Sequence, residues 1–531
     1  MDRTLRKAFL PEAPSLLDLI SRGFSPQSGQ VDLLLIFPAT SIATRYGKKN
    51  VGKLGGDLLP IGIASVAAYL RERGHGVGVL DSCALQLDDE EVVAVIEERK
   101  PKIIGISATT YALAGAYSLA TAIRRSFPDQ LIVLGGSHAN VAGRETIDQY
   151  DVFDIVAAGI DGEYTALKIV EGYAESDYCR KAFLANDQLM SSIDGIIYRR
   201  SGEIISNQPR LRFADLDELP FPARDLFPLE RYIPLPNQYQ KLPLANMVVI
   251  RGCPYVCTFC DQAGTGARNR SPQKTIDEVR HVVDNYGVKE ISFWDDTMSY
   301  NKKWMREFCE GLIDSKLDVI WSSFAAVNTV NQEILNLMHQ AGCWNIFYGF
   351  ETGVPSLMRN IDAHKKNTSF EKMKLVSKWT RDAGIEIRGS FMLALPGETP
   401  ELAKETIKQA IELDPEYAQF SNTTPYPGTR LYTEIMEGKW GTLTTGDFSE
   451  FQGWNVVFLP EGYKDRTEVL EMSRKAFRSF YFRPKYIVKR IIAIRSWEDI
   501  KRYYKAFIAL MGGFAFGPMP EYVRIKTGRT P

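Results

Sequence analysis

No stretch of this chain approaches the ~18 uninterrupted apolar residues that suggest a membrane-spanning helix. Its opening, MDRTLRKAFLPEAPSLLDLI, has no long apolar core followed by a small-residue cleavage site. A cytoplasmic, non-spanning protein is expected. An excess of charge is also missing: 64 Lys plus Arg stand against 65 Asp plus Glu, so the overall balance draws no nucleic acid, and none is expected as a partner. Cysteine is scarce and uneven. Of the seven cysteines, Cys253, Cys257 and Cys260 crowd one short segment while Cys83, Cys179, Cys309 and Cys343 are scattered. That is not the even framework of a secreted disulfide protein, and it suits metal ligation in a reducing compartment better. Solenoid-length repeats and low-complexity tracts are absent.

At 531 residues the chain exceeds what one hydrophobic core supports and reads as roughly two or three domains. After an N-terminal extension (1–28), short β-branched runs alternate with helical patterns, as in a parallel α/β sheet. Strands are predicted at Val31–Phe37, Val77–Asp81, Ile103–Ser107, Leu131–Leu134 and Ile155–Ala158, with helices near Leu59–Arg73, Asp88–Arg99, Ala112–Phe127 and Arg144–Tyr150. This gives a Rossmann-like parallel-sheet domain over 29–175. A proline-dotted stretch (176–240) breaks the rhythm and reads as a linker, with local pairing of GIIYRR and GEIIS around a turn.

A second α/β series over 241–440 has strands near Ala245–Arg251, Glu290–Asp295, Val319–Ser323, Asn345–Gly349, Glu386–Leu393 and Tyr417–Thr423. These are too few for a closed eight-unit barrel, and an open partial (β/α)6 TIM-type barrel is expected. The remainder (441–531) lacks the alternation and is rich in aromatic and basic residues, as in FRSFYFRPKYIVKRI and KRYYKAFIALMGGFAF. It is expected to be a helical C-terminal region whose aromatics pack on the barrel. The alternatives are a pocket for a large apolar molecule or contact with a membrane surface.

The chemistry concentrates at Arg251-Gly-Cys253-Pro-Tyr-Val-Cys257-Thr-Phe-Cys260, directly after the first strand of the second series. Loops at the carboxyl ends of barrel strands carry active sites. Three thiolates can hold three corners of a 4Fe-4S cluster and leave the fourth iron open. The alternative is structural zinc, which takes four ligands in paired spacings. No fourth ligand stands at such a spacing: Asp261 adjoins the last cysteine and His281 is a helix away. Cys309 and Cys343 read as buried small hydrophobes.

This segment, with Phe259 just before the last cysteine, resembles the signature of the radical S-adenosylmethionine (radical SAM) superfamily. The resemblance implies that Cys253, Cys257 and Cys260 bind a 4Fe-4S cluster and that SAM chelates the open iron. Reductive cleavage of SAM would then give a 5′-deoxyadenosyl radical, with electrons from a donor such as flavodoxin or ferredoxin. The likeness continues along the barrel. Phe293-Trp-Asp295-Asp296 follows the second strand, where Asp295 would face the methionine part of SAM. Gly349-Phe-Glu351-Thr-Gly353 follows the fourth, with Glu351 placed to hold a SAM amino or hydroxyl group; a helix cap or solvated carboxylate is the alternative. Arg388, Pro396-Gly-Glu-Thr399 and Pro425-Tyr-Pro-Gly-Thr429 also match, the last two read first as turn formers.

The first domain resembles the cobalamin-binding domain of one large radical SAM class, on Pro60-Ile-Gly62, Arg73-Gly-His75, Gly105-Ile-Ser107, Gly135-Gly136-Ser-His138 and Gly159-Ile-Asp-Gly162-Glu163. Ser107, Gly135, Gly136, His138, Gly159 and Glu163 are the implied cobalamin contacts. Ligands of open α/β sheets bind outside the carboxyl ends of the strands in any case. For His138 the alternative is a histidine hydrogen-bonded near the strand end. A G-x-G-x-x-G dinucleotide site is missing, GKKNVGKLGGD being no match, and so is the Asp-x-His-x-x-Gly segment that gives many corrinoid proteins a histidine below cobalt. A methylthiotransferase would need further cysteines in this domain, which holds only Cys83.

The expected function is a cobalamin-dependent radical SAM enzyme acting on an unactivated carbon of a small molecule, a large apolar one being the alternative, with methyl transfer as the main reading. A radical oxidation or cyclisation without methyl transfer, as in anaerobic porphyrin-ring cyclases, is the rival enzyme. A non-catalytic corrinoid or metal carrier is the rival of another class. No catalytic acid, base or radical relay is assigned.

Overall fold

Runs of Leu, Ile and Val flanked by helical patterns form strands buried on both faces, as a parallel sheet demands. The computed structural model describes residues 15–24, 30–39, 56–209, 213, 215–363, 369–494 and 497–509. In the first sheet β1 (Leu33–Phe37), β2 (Val77–Asp81), β3 (Ile103–Ser107), β4 (Leu131–Gly135) and β5 (Ile155–Ala157) are parallel, in the spatial order β2-β1-β3-β4-β5. The order reverses beside β1, so this is a doubly wound sheet with its switch point between β1 and β3. Helices Ile61–Glu72, Asp89–Arg99, Leu113–Ser126, Ser137–Gln149 and Gly162–Glu175 alternate with the strands, and two separate apolar clusters form on the sheet.

Three features cross the boundaries drawn on the sequence. The GIIYRR and GEIIS segments are β6 (Ile196–Arg200) and β7 (Glu203–Ser206), an antiparallel hairpin that extends the first sheet beyond β5. The first sheet therefore continues past residue 175. The stretch read as a linker also supplies Phe213, Leu216, Leu219, Leu226 and Phe227 to one of the domain's clusters. Within the N-terminal extension, helix Leu16–Arg22 buries Leu19 and Ile20, and Phe24 bridges to Gly78 of β2. Residues 1–14 of that extension, and the GKKNVGKLGGD loop up to position 55, lie outside the described residues.

The second sheet is wholly parallel. Its strands β8 (Leu244–Met247), β11 (Glu290–Phe293), β12 (Ile320–Ala325), β13 (Cys343–Glu351), β14 (Glu386–Leu393) and β15 (Tyr417–Asn422) each lie beside the next in chain order. That succession is the open partial barrel. Local signals set the helices between strands: Ser271 caps Pro272–Tyr286 and Gly287 ends it in the left-handed conformation, while Thr399 caps Pro400–Leu413 with Pro400 at the first position. Cys309 and Cys343 are buried in the barrel core, as their sequence surroundings suggest.

The C-terminal region begins differently from expectation. Residues β16 (Gly441–Leu443) and β17 (Phe458–Pro460) pair antiparallel, and the short turn Phe448–Glu450 between them packs on the first domain. Helices follow: Arg466–Tyr481, Pro484–Ile492 and Trp497–Ala509. The first of these buries Val469, Met472, Ala476, Phe477 and Phe480, the core packing anticipated for the aromatics. Among the described residues no helix is long and apolar enough to cross a membrane. Residues 510–531 lie outside the described part.

Candidate active site

The cysteine loop hangs between two short antiparallel strands, β9 (Ile250–Arg251) and β10 (Arg268–Asn269). Gly252 makes this closure possible: its φ is +86°, and a Cβ there would stand 2.2 Å from the Gly266 carbonyl oxygen. Inside the loop the Cys253 amide donates to Thr265 Oγ1 (3.1 Å), Cys260 to the Cys257 carbonyl (3.2 Å) and Gly264 to the Tyr255 carbonyl (2.7 Å). Thr258 ties it to the barrel, donating to the Ile361 carbonyl and accepting from the Leu431 amide. Cys253 and Cys257 are buried, Cys260 is half-buried, and none forms a disulfide. Burial pushes the Cys260 thiol up to about 12, with the neighbouring Asp261, Cys257 and Asp296 adding to the effect.

Two features test whether this donor set fits an iron–sulfur cluster. The set is all thiol, on one loop, at the carboxyl end of the first barrel strand. Three thiolates can, moreover, hold three corners of a four-iron cube and leave the fourth iron open. They fit the cluster.

Asp295 supports this loop from beneath. It is buried, and its Oδ1 accepts from the Val249 and Ile250 amides at 2.7 and 2.6 Å, fixing the backbone that leads to the cysteines. Burial raises its carboxyl to about 8, the two backbone donors only partly offsetting this. Asp295, expected to face SAM, thus holds the loop backbone through its Oδ1. The neighbouring Asp296 is the one that reaches the cavity, its pKa raised to about 6 by burial.

That cavity measures about 430 Å³ and lies at the carboxyl ends of β12 to β15. Phe259 from the cysteine loop forms one wall. Phe324, Phe347, Gly349, Glu351, Ser390, Met392, Gln419 and Ser421 come from the strands, and Thr424, Tyr426, Gly453 and Trp454 close it from beyond them. Glu351 enters through a backbone irregularity. The register of β13 against β14 slips between Gly349 and Glu351, and Glu351 has φ +60°. A left-handed non-glycine at a bulge is strained, and such strain collects where a side chain must be aimed. The observation favours the site reading of Glu351 over a helix cap.

Arg388 lies below the cavity and does not line it. It is buried, its Nε donates to Asn345 Oδ1 (2.8 Å), and its guanidinium lies 5.0 Å from the Phe347 and 6.0 Å from the Phe324 ring centroid, so it braces two wall residues. Burial holds it down at about 10.

In the first domain the residues named on the sequence separate into two groups. Ser107 and Gly135 stand at the carboxyl ends of β3 and β4, and a Cβ at Gly135 would meet nothing within 4 Å. Both leave the sheet end open to a flat ligand, so the fold and these positions fit a corrin. Gly136 serves the backbone instead: with φ +93°, its Cβ would come within 2.6 Å of the Ala108 carbonyl oxygen. Gly159 donates its amide to Asn140 Oδ1 (2.8 Å). His138 is fully buried, its Nδ1 3.2 Å from Thr110 Oγ1 and its Nε2 2.8 Å from Thr146 Oγ1, with the Phe448 ring against it. Burial lowers it to about 4. This geometry is that of the hydrogen-bonded histidine near the strand end, the alternative to a cobalamin contact.

Glu163, also implied as a cobalamin contact, pairs with the cysteine-loop strand. It is buried and grips Arg251 in two bonds, 2.6 and 3.1 Å, while Asp161 binds Arg251 (2.8 Å) and Arg268 (2.6 Å). Burial disfavours the Asp161 carboxylate, but Arg268 and Arg251 outweigh it and leave its pKa below the ordinary value. The motif after β5 thus clasps both strands that frame the cysteine loop. No sequence signal beyond the Arg-Gly-Cys order pointed to this clasp. The pocket aromatics Phe324 and Phe347 were legible in principle from strand alternation; Trp454 was not.

Comparison with known proteins agrees with both halves. Residues 47–168 match the B12 binding domain family and residues 247–410 the Radical SAM superfamily. An uncharacterized methyltransferase of Pyrococcus horikoshii is 31% identical over 463 residues, 86% of this chain and 94% of that protein. The anaerobic magnesium-protoporphyrin IX monomethyl ester cyclase of Rubrivivax gelatinosus is 26% identical, covering 81% and 75%. Among solved structures, the radical S-adenosylmethionine methyltransferase TsrM from Kitasatospora setae, with cobalamin and a [4Fe-4S] cluster bound, has a TM-score of 0.64 at 16% identity, covering 86% of this chain and 90% of that one. With both domains in one chain and a relative of that identity along nearly its whole length, the protein belongs to the cobalamin-binding radical SAM family.

Proposed function

We propose that this enzyme methylates an unactivated carbon of a small molecule. Cys253, Cys257 and Cys260 hold the cluster, and the cavity beside them receives SAM and the substrate. When bound, the cluster supplies the electron that cleaves SAM, and the corrin supplies a methyl carrier. The chain's own residues position and enclose. Glu351 presents an acceptor for a SAM amino or hydroxyl group, Phe259 and Trp454 wall the cavity, and Asp295 with the Arg251 clasp fixes the loop.

One observation carries the reading. Tyr426, a cavity residue, donates to the Phe451 carbonyl (3.2 Å), Phe451 packs on Phe448, and Phe448 lies against His138 of the first domain; two residues on, a Cβ at Gly428 would stand 3.1 Å from the Val141 carbonyl oxygen of that domain. The cavity therefore borders both cofactor regions, as group transfer between them requires. A cyclase reading draws on the Rubrivivax gelatinosus relative. Against it, about 430 Å³ lies in the lower part of the range of ligand pockets, which suits SAM with a small partner better than SAM with a macrocycle. Electrons would come from a reduced flavodoxin or ferredoxin.

The experiment needs no substrate. Anaerobically reconstituted protein with cobalamin, a strong reductant and SAM should form S-adenosylhomocysteine by methyl loss as well as 5′-deoxyadenosine. Formation of 5′-deoxyadenosine alone, with cobalamin bound and reduced, would overturn methyl transfer in favour of a cyclase or oxidase.

A further inference from the structure

The two last helices leave the barrel with an apolar face that nothing among the described residues covers. Helix Pro484–Ile492 is anchored inward by one edge. Tyr486 is buried and donates to the Glu416 carbonyl, while Lys489 pairs with Glu416 (3.0 Å) and Arg483, just before the helix, with Asp414 (2.9 Å). Its other edge presents Ile487, Val488, Ile491 and Ile492, the last two 62% and 70% exposed. Helix Trp497–Ala509 continues the theme with Trp497, Ile500, Tyr504 and Phe507, Trp497 being 64% and Tyr504 65% exposed. Spacings of three and four place these on one side of each helix. Scattered exposed apolar residues need no explanation, but eight in two successive helices form a patch.

The charge of this segment of sequence is mostly positive, in a chain that is otherwise balanced. From 484 to 509 the sequence carries Lys485, Lys489, Arg490, Arg495, Lys501, Arg502 and Lys505 against Glu498 and Asp499. Lys485, Lys501 and Lys505 are exposed beside the apolar residues. An apolar face with tryptophan and flanking lysines is the composition of a helix lying in a membrane interface. We propose that these two helices bind the enzyme peripherally to an anionic lipid surface. The face that the sequence suggested would pack on the barrel instead meets phospholipid, with the lysines at the headgroups.

Its position argues against an acidic electron donor as the occupant. Glu416 precedes β15, so the helices sit at the amino ends of the barrel strands, whereas the cysteine loop and cavity lie at the carboxyl ends. A donor docked there would stand at the wrong end for the cluster. A lipid surface there leaves the cavity free, so loss of membrane binding should not affect SAM cleavage.

The test is co-sedimentation of full-length, reconstituted enzyme with vesicles of phosphatidylcholine alone or mixed with phosphatidylglycerol. Binding is expected only to the anionic vesicles and should weaken as salt is raised. Lys501→Glu with Lys505→Glu should lower partitioning at least about tenfold, and Trp497→Glu with Ile500→Glu should do so separately, both with unchanged 5′-deoxyadenosine formation. Three results would overturn the proposal: no anionic-vesicle binding by the wild type; concentration-dependent dimerisation removed by Trp497→Glu, which makes a second copy the occupant; or binding that appears only after residues 510–531 are removed, which makes that segment the cover.

Discussion

Glu163→Ala removes one of two carboxylates from the clasp that joins the first domain to the cysteine loop. The side chains of Asp161 and Glu163 are 1% and 3% exposed and that of Arg251 is 17% exposed, so Arg251 would be left half-compensated in a largely dry site. Two unit charges about 4 Å apart attract by about 4 kcal/mol at an effective dielectric near 20. Breaking a buried pair by removing one partner costs about 3–5 kcal/mol. Arg251 keeps Asp161 and some solvent, which places the loss near the lower end, about 3 kcal/mol. For domains of this size that corresponds to a fall in melting temperature of roughly 6–12 °C. Thermal unfolding of the apo-protein measures it, alongside Arg251→Ala and the double variant. The double should cost less than the sum of the singles by about 1–3 kcal/mol, because the second removal leaves no orphaned partner. A Glu163→Ala protein melting within a degree of wild type, with strictly additive singles, would refute the clasp and return Glu163 to cofactor binding.

Other consequences follow from single side chains. Glu351→Gly should relieve the left-handed strain and stabilise the protein by about 1 kcal/mol, while Glu351→Gln should leave stability and iron content unchanged; both should weaken SAM binding in equilibrium dialysis, and unaltered affinity in both would make Glu351 a bystander. Asp295→Ala should orphan the Val249 and Ile250 amides at about 1–3 kcal/mol and reduce iron content after reconstitution. Asp295→Asn keeps an acceptor and should reconstitute normally, which a direct role for its charge would contradict. His138 is held neutral, with a folded pKa of about 4 against 6.5; the unfolded chain binds the extra proton between those values, so stability should fall as pH drops from about 6.5 to 4, by about 3 kcal/mol at most. A His138→Gln variant should lose that part of the acid dependence, and an identical pH profile would sink the assignment.

The barrel was legible because its signals are local. β11 and β14 lie where strands near Glu290–Asp295 and Glu386–Leu393 are predicted, and helices Lys302–Ser315 and Pro400–Leu413 fill the intervals between predicted strands. The cysteine loop was legible because its spacing is chemical. What escaped depends on contacts distant in sequence. The hairpin Ile196–Ser206 looked like a private turn, since nothing in it says that β5 is its partner. Glu163 and Arg251 lie 88 positions apart, and the same glycine-acid segment suits a cofactor or a guanidinium equally well. Asp295 and Asp296 are adjacent carboxylates that face opposite ways from a strand end; only the fold tells which one reaches the cavity. The aromatic tail divides similarly, Phe477 and Phe480 going inward while Trp497 and Phe507 stay out.

The central claim is that the three cysteines carry a cluster that cleaves SAM in a corrin-binding protein. Anaerobic reconstitution followed by reduction with SAM and cobalamin tests it most directly. Expected are about four iron and four sulfide per chain, bound corrin, and 5′-deoxyadenosine, with iron and 5′-deoxyadenosine both lost when Cys253, Cys257 and Cys260 are changed to alanine. Full iron content and undiminished SAM cleavage in that triple variant, or zinc in place of iron in protein purified without oxygen, would contradict it.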